Sequence, residues 1–109
     1  MRMMIVRNKA NLLELWNKRQ VQTTDLLKIV VDIEREIVAV DAEMHADLEE
    51  VLLADGSQQE NLWGANLYPE KHGVEFIEYT SFINIRPAQG NRSMEVEDEE
   101  TRRRVETVV

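Results

Sequence analysis

Leu27-Lys28-Ile29-Val30-Val31-Asp32-Ile33-Glu34-Arg35-Glu36-Ile37-Val38-Ala39-Val40-Asp41 is the stretch on which the fold turns. Leu26, Val30, Ile33 and Ile37 have the spacing of one helix face. The same stretch is crowded with β-branched side chains, which are stiff in a helix and pack well on a pleated surface. Ile29, Val31 and Ile33 also alternate with Val30, Asp32 and Glu34. The β-branched density decides for two strands, about 27–34 and 37–41, turning at Arg35-Glu36. No glycine marks that turn.

Working outward, Met3 to Arg7 reads as a short first strand. Asn11-Leu12-Leu13-Glu14 has the spacing of a helix N-cap with its acidic partner, and Leu12, Leu15 and Trp16 continue as an apolar stripe. Val21-Gln22-Thr23-Thr24 breaks it. Ala46 to Ala54 reads as a helix, with Asp47 and Glu50 as a capping pair, Leu48, Val51 and Leu52 as the apolar face, and Gly56 as a C-terminal cap. Leu62 to Tyr68 reads as a strand, 69–73 as a turn, and Val74 to Arg86 as a long strand bent near Thr80-Ser81. Asp98 to Val108 is a closing helix with Thr101, Val105 and Val108 on one side. Hairpin spacing with interspersed helices points to a single α+β domain over 1–109. The expected architecture is one mainly antiparallel sheet of about 4–5 strands, with about three helices packed on one face.

The 62–86 hairpin assigns side chains to faces. If Tyr68 pairs near Val74, then Trp63, Leu67, Ile77, Ile83 and Ile85 share the core face, and Asn66, Glu78, Asn84 and Arg86 the opposite, polar face.

The chain carries a net charge of −8, unevenly distributed. Residues 1–28 hold six bases and two acids, and residues 29–109 hold seven bases and 19 acids. Such an acidic balance disfavours broad nucleic-acid binding. There are no cysteines, which removes disulfides, thiolate metal sites and cysteine nucleophiles and fits a cytoplasmic location. Apolar runs are too short for a membrane span or a signal peptide. His45 lies among Glu43, Asp47 and Glu49, and His72 falls in a turn, but neither has a recognised metal-ligand spacing. No metal and no cofactor are expected.

The candidate site is Ile83-Asn84-Ile85-Arg86-Pro87-Ala88-Gln89-Gly90-Asn91-Arg92-Ser93. A strand stops at a proline, and a Gly-Asn turn follows. Asn84, Arg86, Gln89, Asn91, Arg92 and Ser93 can all hydrogen-bond a polar ligand. Two guanidiniums and the backbone N–H groups after a glycine can cradle a phosphate or carboxylate. The plainer alternative is a turn and a cap, with the arginines paired to Glu95, Glu97 or Asp98. Those acids would also repel an anion.

From His45 onward the chain resembles a small prokaryotic family of uncharacterised proteins. The resemblance rests on His45-Ala46-Asp47, on Asp55-Gly56-Ser57 with Gln59, on Leu62-Trp63-Gly64 with Asn66-Leu67-Tyr68-Pro69, and on Ile83 through Ser93 followed by Val96-Glu97-Asp98. It implies a shared fold and brings no activity with it. Three functions are therefore weighed. The first is a domain binding a polar or anionic ligand at the 84–93 loop. The second is an interaction module or weak homodimer, using a sheet edge or the apolar end Val105, Val108 and Val109. The third is an enzyme acting on a phosphate ester or nucleic acid, with Arg86 and Arg92 stabilising charge.

Overall fold

Residues 27–40 form a β-hairpin of β2 (Leu27–Asp32) and β3 (Ile37–Val40), with Val31 opposite Val38. The structure is a computed structural model and describes residues 4–7, 27–40, 44–68, 71 and 76–109. Asp32 does the work expected of a glycine at the turn. Its buried carboxylate accepts hydrogen bonds at 2.9 Å from the backbone N–H groups of Glu34 and Arg35, and at 2.6 Å from the Ser57 hydroxyl. Its carbonyl accepts from Glu36 N–H at 2.9 Å. An aspartate that bonds the backbone two and three residues on imposes the turn itself. Glu36 is thereby held in the left-handed region at φ 57°, where a side chain costs roughly 1–2 kcal/mol.

The hairpin sits inside a five-stranded antiparallel sheet of order β1-β3-β2-β4-β5, completed by β1 (Met4–Val6), β4 (Leu62–Leu67) and β5 (Ile77–Glu78). Two α-helices lie among the described residues: α1 (His45–Ala54) and α2 (Glu99–Val108). The helix expected from Asn11 lies outside the described residues, as does most of the 69–73 turn.

The helices do not share a face, as the sequence reading had them. Leu48 and Leu52 of α1 pack with Val30, Ile37, Ala39 and Leu62. Val105 of α2 packs on the opposite side with Ile29, Val31, Val38, Trp63 and Leu67. The reason lies in β2 and β3, which are apolar at both parities. Each exposes an oily surface up and another down, and one layer of helices can cover only one of them.

Helix ends follow local chemistry. The backbone N–H of Ser57 reaches the Leu52 carbonyl at 2.9 Å and that of Gly56 reaches Leu53 at 3.2 Å, while Gly56 sits at φ 104°. That is the double bond of a glycine-terminated helix. At its start α1 has no side-chain cap. The helix begins at His45, and Asp47 falls inside the first turn, where it meets the positive end of the dipole instead of capping it. In α2 the Asp98 carboxylate accepts from Thr101 N–H at 2.9 Å, as a cap should. Val105 is fully buried, and Val108 and Val109 pack on the same core.

The long strand to Arg86 is not formed. Asn66 faces Glu78 and Leu67 faces Ile77, two positions along from the expected pairing. A shift of two preserves the faces, so Trp63 and Leu67 enter the core and Ile77 packs against it. After Glu78 the chain leaves β4. Thr80 pairs with Glu95, a single 3-10 turn spans Phe82–Asn84, and a second spans Pro87–Gln89. Ile83 therefore packs on the α1 side, Ile85 is exposed, and Asn84 is wholly buried. The cause is Gly64. A Cβ there would lie 2.5 Å from Ser81 Cβ, so only glycine lets the 81–84 turn fold down on β4.

The turn chemistry gives a paired expectation. Asp32→Ala leaves buried N–H groups without acceptors and should lower stability by about 2–4 kcal/mol. Glu36→Gly relieves the left-handed residue and should change stability by no more than about 1 kcal/mol in either direction. Urea unfolding of the two variants checks the contrast.

Candidate functional site

The loop after the second 3-10 turn is built around two buried asparagines. The Asn84 amide pairs with β4 as another strand would: its Oδ1 accepts from Gly64 N–H at 2.8 Å and its Nδ2 donates to Gly64 O at 3.0 Å. The same nitrogen donates to Met94 O at 3.0 Å. Asn91 ties the loop to itself. Its Nδ2 donates to the carbonyls of Asn84 and Glu95 at 2.7 Å and of Ser93 at 3.1 Å, and its Oδ1 accepts from Glu97 N–H at 2.8 Å. Arg86 and Asn91 form the backbone bridge between these anchors, and Gly90 turns the chain at φ 82°.

Arg86 is buried and engaged on several sides. Its Nε donates to Ile83 O at 3.0 Å, and its Nη2 donates to Leu62 O and approaches Glu49 of α1 at 3.5 Å. The guanidinium stacks on Trp63 at 4.8 Å from the ring centre. Burial pulls its pKa down, and Glu49 acts against that shift. Its carboxylate partner is thus on α1, not among the acids at 95–98.

Arg92 and Ser93 are exposed and take part through the backbone. Their N–H groups donate to Glu97 Oε2 at 3.0 and 2.7 Å. Gln89 is also exposed and donates to Glu60 O at 3.1 Å. Of the six residues singled out by sequence, Asn84, Asn91 and Arg86 are structural anchors, Arg92 and Ser93 lie on the rim, and Gln89 reaches across to the 3-10 turn Gln59–Asn61.

Beside the Gly90 turn lies a groove of about 470 Å³, within the size range of small-ligand pockets. Gln89 and Asn91 line it with Trp63, Glu60, Glu97 and Asp98. Among the described residues, no basic side chain lines it. Glu97 is held below the usual carboxylate range by hydrogen bonds from Ser93, and Asp98 by the Thr101 N–H and hydroxyl. Trp63, Glu60, Glu97 and Asp98 did not stand out in the sequence as ligand contacts. The available signal was the acidic run that begins at Glu95, read there as partners for the arginines and as a force against anions.

The fold and groove define a three-layer α+β domain, with a helix on each face of an antiparallel sheet and a polar groove at one end of the last turn. The chain belongs to the family described as protein of unknown function, DUF5674, which matches residues 4–109. No curated protein and no solved structure matches it.

The different depths of the loop residues are measurable. Asn91→Ala removes the bonds that close the loop and should destabilise the protein by about 2–4 kcal/mol. Arg92→Ala should stay within about 0.5 kcal/mol of wild type, because its side chain is exposed. Thermal unfolding of both variants distinguishes an asparagine-built loop from an arginine-built one.

Proposed function

We propose that the protein is a small binding domain whose 84–93 loop contributes to a site for a polar, positively charged group. The observation that carries this reading is the groove beside the loop, which has three carboxylates along its wall and, among the described residues, no base. An anion entering it would be repelled by these carboxylates. A small amine or guanidinium would meet Glu60, Glu97 and Asp98, with the Gln89 and Asn91 side chains beside them. Arg86 does not line this groove, and its Nε and Nη2 are engaged by two carbonyls and Glu49.

The test opposes the two charges. A diamine titrated at low salt should shift the amide signals of Gln89, Gly90 and Asn91, while inorganic phosphate leaves them still. Glu60→Gln should weaken the diamine roughly 2- to 5-fold, the effect of one partly screened charge. Shifts with phosphate alone would overturn the assignment of charge.

A second reading rests on a separate observation. Phe82 is 76% exposed and Ile85 42% exposed, flanking the fully buried Asn84. The anchored turn holds both apolar side chains in fixed positions in water, and preorganised aromatic groups are favoured at protein contacts. Self-association by this surface predicts a concentration-dependent dimer in sedimentation. Phe82→Ser should abolish it and move stability by no more than about 0.5 kcal/mol. Monomer at every concentration would remove self-association.

A further inference from the structure

β5 is the last strand of the sheet, and its outer edge is only partly covered. Tyr68 N–H donates to the Phe76 carbonyl at 2.7 Å, and Asn66 lies opposite Glu78. Residues 76 and 78 therefore turn their backbone groups toward β4, while Ile77 turns its N–H and C=O away from it. Further along, the return segment closes this edge. Val96 N–H donates to the Tyr79 carbonyl at 3.0 Å, and Thr80 lies opposite Glu95. The closure stops there. The Val96 carbonyl is taken by Arg102 Nε and does not bond Tyr79 N–H. Among the described residues, nothing else accepts from Tyr79 N–H or meets the N–H and C=O of Ile77.

Three main-chain groups thus face outward in the order N–H, C=O, N–H, at the spacing of a strand. An extended backbone presents the matching acceptors and donor along one line. The groups open into a groove of about 1000 Å³ between β5 and α2. Ile77, Tyr79 and Thr80 form one wall, and Glu99, Arg102 and Glu106 the other. The site is separate from the groove at Gly90, with which it shares no lining residue.

Charge selects the occupant. Lys71, Arg102 and Arg103 line the groove, but each is engaged. Lys71 Nζ stands over the Tyr68 ring at 5.1 Å, and Arg103 pairs with Glu100 at 3.0 Å. Arg102 stacks on Tyr79 at 4.9 Å and lies 3.9 Å from Glu95. Glu78, Glu99 and Glu106 also line the groove, and none of them pairs with a base among the described residues. We propose that this edge is a docking site for an extended peptide segment of another protein, one carrying lysine or arginine side chains, which adds a strand beside β5. A second copy docking edge to edge would set its own Glu78, Glu99 and Glu106 against the same three, on a chain of net charge −8. Val96 blocks the edge beyond Tyr79, so the guest strand lies at the Ile77 end.

The experiment titrates acetyl-Thr-Lys-Thr-Lys-Thr-Lys-amide into the protein at low salt and follows backbone amides by NMR. In the free protein, hydrogen exchange should be fast at Ile77 and Tyr79 and slower at Glu78, whose N–H faces β4. The peptide should shift Ile77, Tyr79 and Thr80 and slow exchange at Ile77 and Tyr79. The same peptide with glutamate in place of lysine should leave them still, as should lysine amide alone. A fully N-methylated lysine peptide keeps the charge but loses every backbone donor, and should bind about 10-fold more weakly. Glu99→Gln and Glu106→Gln, both at the surface of α2, should each weaken the lysine peptide roughly 2- to 5-fold. Slow exchange at Ile77 in the free protein would show that the chain covers this edge itself, and would overturn the proposal. So would equal binding of the glutamate or N-methylated peptide, the same shifts from lysine amide, shifts confined to Gln89, Gly90 and Asn91, or no shift at all.

Discussion

The pairing of the Asn84 side chain with the backbone of Gly64 is the contact on which the C-terminal third depends. β5 is two residues long, so β4 loses its partner strand beyond Asn66. A buried backbone N–H and C=O cannot be left open there without a loss comparable to a hydrogen bond each. Asn84 supplies a donor and an acceptor in the geometry of a peptide group. That substitution requires the chain to approach β4 closely, and Gly64 permits it. Everything after residue 84 is placed by this docking. Arg86 is brought over Trp63 and Leu62, the Gly90 turn follows, and Asn91 ties the return segment to Asn84 itself.

Much of the fold was readable from local chemistry. β-branched density picked strands over a helix at 27–40. The glycine after Ala54 marked a helix end through backbone bonds that depend only on near neighbours. What was not readable depends on distant partners. Alternation in Ile83-Asn84-Ile85-Arg86 looks like a strand, but its period arises from a turn that buries Asn84 and Arg86 and leaves Ile85 in water. The cue would have been Gly64, twenty residues away, whose missing side chain is what admits the turn. The two-sided sheet was likewise hidden, because Val30, Ile37 and Ala39 read as tolerable on a single-sided strand.

The candidate site divides in the same manner. The sequence singled out the loop but not the roles that its residues play in the structure. Polar residues in a turn look available to a ligand, yet a turn lying on a sheet has buried backbone groups of its own to satisfy. Asn84 and Asn91 meet those needs first. What is left facing outward is set by the chain beyond the loop, where Glu97 and Asp98 are fixed by donors from Ser93, Arg92 and Thr101. The charge of the groove is thus a property of the return segment, and the arginines that attract notice in the sequence do not determine it.

The same return segment alters how the sheet meets other chains. Ser81 N–H donates to Met94 O at 2.9 Å and Val96 N–H donates to Tyr79 O at 3.0 Å. Residues 94–96 thereby occupy the outward hydrogen-bonding positions that residues 79–81 would otherwise present. Unpaired strand edges are templates for cross-β growth, and proteins guard them by shortening or covering them. Here the guard is a piece of the loop itself, held by an asparagine. Loosening Asn91 would do more than weaken the fold. It would free a length of backbone able to recruit a strand from a neighbouring molecule, so that misfolding of this loop would lead toward aggregation.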